Sequence, residues 1–162
     1  MRSLIICTSV SHGNTRRVAD VMADVLGARV VRPQEVDPAE LSACDLVGFG
    51  SGIFTQRFHP DLLRFVAALP RQRGRAFVFA TSGLPEPRFR PVTRSLAGTL
   101  RAKGFEVTGT FSCRGLDTWA PFRLVGGIRK GRPNGADLAA ARAFAEDLRR
   151  THAQEGRRAA NR

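Results

Sequence analysis

No run of the sequence is long and apolar enough to span a membrane, and Met1-Arg2-Ser3 leads straight into the first apolar segment without a signal-peptide pattern. A soluble, cytoplasmic chain is the expectation. Cysteine is scarce: Cys7, Cys44 and Cys113 are odd in number and far apart, which fits neither a disulfide framework nor a zinc site and leaves reduced, mostly buried thiols. Lysine is nearly absent, Lys103 and Lys130 being the two among 26 basic residues. No paired carboxylates, Ser/His/Asp arrangement or metal-ligand cluster stands out, so neither hydrolysis nor metal catalysis has visible machinery.

Arginine and alanine are what the chain has in quantity. Its 26 basic residues against 14 acidic ones give a formal charge of +12, part of which a GC-rich coding bias explains, so charge alone does not argue for nucleic acid. The excess is uneven: residues 1–81 carry 10 basic and 7 acidic side chains, residues 82–162 carry 16 and 7. With 162 residues, 43% of them hydrophobic, there is material for one domain with a substantial core. That domain is expected over residues 1–150. From Thr151 to Arg162 the residues are polar, Arg-rich and aperiodic, which predicts a flexible basic tail.

Short apolar runs alternate with longer amphipathic ones. Strands are expected near Leu4–Cys7, Arg29–Val31, Leu46–Gly50, Ala76–Thr81 and Glu106–Phe111. Helical spacing fills the gaps: Asn14–Leu26 stopped by Gly27, Asp61–Leu69 behind Pro60, Arg90–Lys103 up to Gly104, and Gly135–Arg150. Five strands alternating with four helices define a parallel sheet covered on both faces.

In such a sheet ligands bind beyond the carboxyl ends of the strands. The stretch TSVSHGNTRR, Thr8 to Arg17, lies at the first of these ends. Ser9, Ser11 and Thr15 offer hydroxyls, Asn14 an amide, and Gly13 a close backbone approach, while the following helix directs its positive dipole end at the loop. Neither G-x-x-x-x-G-K-[ST] nor G-x-G-x-x-G is present, so the cradle suits one terminal phosphate. Ser11 or Asn14 would equally serve as an ordinary helix cap. Two further segments at strand ends favour the ligand. GFGSGIFTQRFHP, Gly48 to Pro60, places small residues and then Phe54 in the crevice, and FATSGLPEPRF adds Thr81, Ser82 and Gly83. Small residues let a flat ring lie close to the backbone, and Phe54 offers a stacking face. A phosphate site beside a planar slot reads as a mononucleotide site.

The strand followed by S-x-S-H-G-N-T-R-R-V-A, the G-F-G-S-G-I-F loop and the A-T-S-G loop resemble the flavodoxin-like flavoproteins, and Phe111 to Leu148 is similar to the closing segment of a short flavodoxin-like subgroup. The resemblance implies a three-layer α/β/α sandwich with a five-stranded parallel sheet in the order 2-1-3-4-5. It implies FMN as cofactor, held by Ser9, Val10, Ser11, His12, Gly13, Asn14 and Thr15 in the first loop. Ser51, Gly52, Ile53, Phe54 and Thr55 would form the second loop, and Thr81, Ser82 and Gly83 the third. The departures are specific. Well-studied flavodoxins are acidic, stack a tyrosine on the flavin and often have glycine after the aromatic residue of the second loop. This chain is basic, has no tyrosine and has Thr55 there, a β-branched residue expected to resist positive φ. Phe89, and more remotely Trp119, are the remaining candidates for an outer aromatic.

The function implied is electron transfer through bound FMN to a redox partner. An FMN-dependent NAD(P)H- or quinone-linked reductase, a protoporphyrinogen-oxidising enzyme and a flavin-free binding module are the alternatives. Arg88, Arg90 and Arg94 follow the third loop and are expected to dock a partner with an acidic surface; nucleic acid is disfavoured because the basic residues are not interleaved with aromatics. No metal is expected, and a monomer or weak dimer is. Cys113 reads as an inert thiol rather than a redox thiol assisted by Arg114, His59 as part of a helix start, and Trp119, Phe122 and Leu124 as packing residues of the last long loop.

Overall fold

The computed structural model describes residues 1–10, 13–83, 92–114 and 133–160. Ser11, His12, Arg88, Phe89, Arg90, Trp119, Phe122 and Leu124 therefore lie outside the described residues. Strand β1 (Ser3–Thr8) is an unbroken run of buried residues, as a central strand covered on both faces must be. Its alternation divides the core. Leu4 and Ile6 join the cluster that contains Leu62 and Val66 of helix α2 (Pro60–Ala68) and Leu96 and Leu100 of α3 (Val92–Ala102). Ile5 and Cys7 join the opposite cluster with Val18 and Met22 of α1 (Asn14–Leu26) and Ala141 and Ala145 of α4 (Gly135–Ala160). Two helices on each face of one sheet make the three layers.

The remaining strands are β2 (Arg29–Val31), β3 (Leu46–Phe54), β4 (Arg57–Phe58), β5 (Arg75–Ser82) and β6 (Glu106–Arg114). The parallel order is β2-β1-β3-β5-β6, which is the expected 2-1-3-4-5 order of the five long strands. The sixth strand is the difference. β3 runs four residues past Gly50 and turns back, so that Phe54 pairs with Arg57 and Ile53 with Phe58 in an antiparallel hairpin. The small residues of β3 also serve the core rather than a ligand. A β-carbon on Gly48 would stand 2.4 Å from the Phe77 ring and one on Gly50 2.3 Å from the Phe79 ring, so the flat rings these glycines admit belong to β5.

The expected tail is helix. α4 continues ten residues past Arg150, and the cause is a contact distant in sequence. Arg75, at the start of β5 and only 18% exposed, pairs with Glu155 and with Glu106 (3.6 Å), and its Nη1 lies 3.3 Å from His152 Nδ1. His152 and Glu155, three residues apart, share one helix face and close on that guanidinium. Among the described residues no helix is long and apolar enough to cross a membrane.

Burial pushes the Cys7 thiol from its ordinary value near 9 up to about 12. A folded value above the unfolded one means that stability is full below pH 9 and is lost as the pH rises toward 12. The expected slope approaches about 1.4 kcal/mol per pH unit. Urea midpoints at pH 8 and 10.5 check this: Cys7→Ala should remove most of the alkaline loss, and an equal loss in both proteins would assign it elsewhere.

Candidate flavin site

Three chain segments meet at the carboxyl edge of the sheet. β1 ends in Thr8, whose Oγ1 is shut off from solvent, has no hydrogen-bond partner among the described residues and, following Leu4 and Ile6, lies on the α2/α3 face of the sheet. Beyond it Gly13 sits in the left-handed region (φ 65), which lets the backbone turn sharply into α1 and brings no side chain to the helix end. No acidic residue stands in the first turn, so nothing in α1 neutralises its positive end. Ser9 Oγ accepts the Arg16 N–H at 3.3 Å and keeps its own hydrogen to donate. Ser9 thus serves a backbone donor in the first turn of α1, and Ser11, one of the two expected caps, lies outside the described residues.

Thr15, 2% exposed, reaches across from α1 to the end of β5, where its Oγ1 lies 2.8 Å from Thr81 Oγ1. One hydroxyl donates to the other, and the pair retains one hydrogen to give. Gly52 is beside Thr81 in the sheet, and a methyl on it would come 3.6 Å from Thr15 Oγ1 and 3.1 Å from the Phe54 ring. First, second and third loops therefore converge. A spare hydrogen in the Thr15–Thr81 pair and the uncompensated end of α1 form a donor set for an anionic oxygen. The residues present fit a phosphate-bearing group.

Other expected site residues are placed differently. Ser51 has spent its hydroxyl hydrogen: its Oγ donates to the Gly52 carbonyl (2.8 Å) and accepts the His59 N–H (3.0 Å), bracing the hairpin. Ile53 packs against the α2 and α3 side of the core. Phe54 is 39% exposed with its ring edge toward His59, and Val10 is 62% exposed, so both offer apolar surface at the rim. Ser82 and Gly83 are half-buried at the end of β5. His59 Nδ1 accepts the Asp61 N–H at 3.2 Å, which makes it the cap of α2, as its place before Pro60 suggests. Nothing in the sequence links Thr15 to Thr81. Among the described residues no group of three or more His, Cys, Asp or Glu could hold a metal ion.

Thr55 overturns its expectation. It holds φ 45 and Gln56 holds φ 59, because a two-residue loop closing a right-twisted hairpin needs positive φ at both positions. Asn-Gly is the usual solution; Thr-Gln carries the strain instead. Gln56→Gly should therefore raise stability by about 0.5–1 kcal/mol, the relieved strain less the added freedom of the unfolded chain. Thermal melts of the two proteins measure it, and a destabilised variant would mean that the Gln56 side chain holds the turn.

The fold defines a doubly wound α/β protein with a crevice at the strand carboxyl ends. A model of the flavodoxin domain matches residues 5–107, and the chain belongs to that family. It is 35% identical over 150 residues to the uncharacterised protein MJ0298 of Methanocaldococcus jannaschii, covering 91% of this chain and 98% of that one. Its fold is similar to that of an archaeal flavodoxin (TM-score 0.68, 16% identity, 91% and 96% of the two chains). It is equally similar to that of the flavodoxin from Streptococcus pneumonia TIGR4 (TM-score 0.68, 15% identity, 93% and 99%). Flavodoxin-family proteins bind flavin, and the chain is a flavodoxin-like flavin-binding redox protein.

Proposed function

We propose that the chain binds FMN and passes electrons through it to a partner protein that presents an acidic surface. The observation that carries FMN over FAD or riboflavin is the Thr15–Thr81 hydroxyl pair at the uncompensated end of α1, a donor set sized for one phosphate with no dinucleotide fingerprint in the first loop. Ser9 and Thr15 would hold the phosphate, with the end of α1 supplying backbone donors. Gly52 and Gly83 would border the ring, and Phe54 would cover it from the rim. FMN, when bound, supplies the redox chemistry; the chain positions it, excludes water from one side and leaves an edge open. Arg94, exposed on α3, supports docking of an acidic surface, and Arg88 and Arg90 are proposed to extend that rim.

Titration of the purified chain with FMN, FAD and riboflavin, followed by flavin fluorescence and absorption, tests the reading. Tight uptake of FMN alone is expected. A colourless protein that ignores FMN would sink it. The docking half is tested separately by the rate of electron transfer to an acidic acceptor protein, which should fall as rising salt shortens the Debye length from about 30 to 10 Å. A rate flat in salt would remove the acidic partner while leaving FMN binding untouched.

A further inference from the structure

Arg114, the last residue of β6, has a guanidinium that the fold leaves incomplete. It is half-buried, and its Nη1 is shut off from solvent with no hydrogen-bond partner among the described residues. No carboxylate pairs with it among the described residues. An arginine cannot shed its proton, so a buried nitrogen without an acceptor is a standing cost unless something else supplies one. The register says where that acceptor belongs. Thr81 is paired with Cys113 and Ser82 with Arg114, so Arg114 stands beside the third loop of the candidate site. Phe111 and Cys113 pack toward α1 and α4, so by strand alternation Arg114 points to the other face; Ala80 packs on that face, and Ser82 follows it there. The family match ends at residue 107, so this residue lies outside what the flavodoxin-domain comparison covers.

Resting on the FMN reading above, we propose that Arg114 donates to the pyrimidine edge of the bound isoalloxazine and holds the reduced ring more tightly than the oxidised one. That edge presents a carbonyl oxygen beside a ring nitrogen, a planar acceptor pair that suits the fork of a guanidinium. Reduction by dithionite, itself oxidised to sulfite, adds two electrons and takes one proton from water, leaving the ring with one negative charge. A fixed cation beside it lowers the energy of that product and so raises the midpoint potential.

The test uses FMN-loaded protein and its Arg114→Gln variant. Affinity for oxidised FMN should change less than about threefold, while affinity for the reduced form should fall roughly tenfold, which is a potential lower by about 30 mV for a two-electron couple. A variant that binds FMN with an unchanged potential overturns the assignment and leaves the functional reading standing. Wild type that takes up no flavin overturns both. Should Arg114→Gln fail to fold, Arg114→Met, which keeps much of the side-chain length and removes the charge, should show the same fall, and an unchanged potential there overturns the assignment in the same way.

Discussion

Thr15→Ala is expected to weaken FMN binding by roughly tenfold to a hundredfold while riboflavin binding changes far less. The lost group is a hydrogen bond to a charged oxygen, worth about 1.5–3 kcal/mol, and each 1.4 kcal/mol is a factor of ten. The size depends on Thr15 being fixed before the ligand arrives. Its hydroxyl is buried and already tied to Thr81 at 2.8 Å, so binding pays little to order it. Thr81→Ala, which removes the other half of the pair, should show a loss of similar order. Fluorescence titration of both ligands against both variants decides the matter. Parallel weakening of FMN and riboflavin would show that these hydroxyls shape the pocket in general and that the phosphate sits elsewhere.

Gly50→Ala should cost about 1–3 kcal/mol of folding stability, the range for forcing an extra carbon into a packed interior. Its β-carbon would stand 2.3 Å from Cζ of Phe79, a ring with no exposed surface and held between the sheet and the helices α1 and α4. Gly48 repeats the arrangement with Phe77 at 2.4 Å. The two rings are neighbours, centroids 6.0 Å apart, so the double glycine variant should lose more or less than the simple combination rather than an additive amount. Urea midpoints measure each loss. Phe79→Leu in the Gly50→Ala background should recover part of it; a Gly50→Ala protein with the wild-type midpoint would show that the ring moves aside freely.

Those glycines show where sequence reading stops. Small residues at the end of a strand mean that a ring comes close, and that much was legible in GFGSG. Whose ring it is depends on the register of β3 against β5, which pairs Gly48 with Phe77 and Gly50 with Phe79 and is not a local property. The helices α1 and α2 were legible to within a residue because their periodicity and their glycine and proline signals agree. The hairpin was not, since Thr55-Gln56 lacks the residues its turn geometry favours. Nor was the end of α4, whose polar sequence has no period and whose order comes from Arg75, far off in the chain. In the site, the donors of the first loop were visible as residue types. The bond from Thr15 to Thr81, which turns two loops into one pocket wall, was visible only once the chain was folded.

Arg75 marks the amino end of β5, and the crevice lies at the other end of the same strand, roughly 26 Å away at about 3.3 Å per residue. Because Glu155 and His152 close on Arg75, the carboxyl-terminal turns of α4 leave the molecule at the pole farthest from the crevice. The chain therefore has a built-in polarity for immobilisation. Coupled to an electrode or bead through its carboxyl terminus, it would face its crevice toward the solution, and every molecule of the layer would stand the same way up.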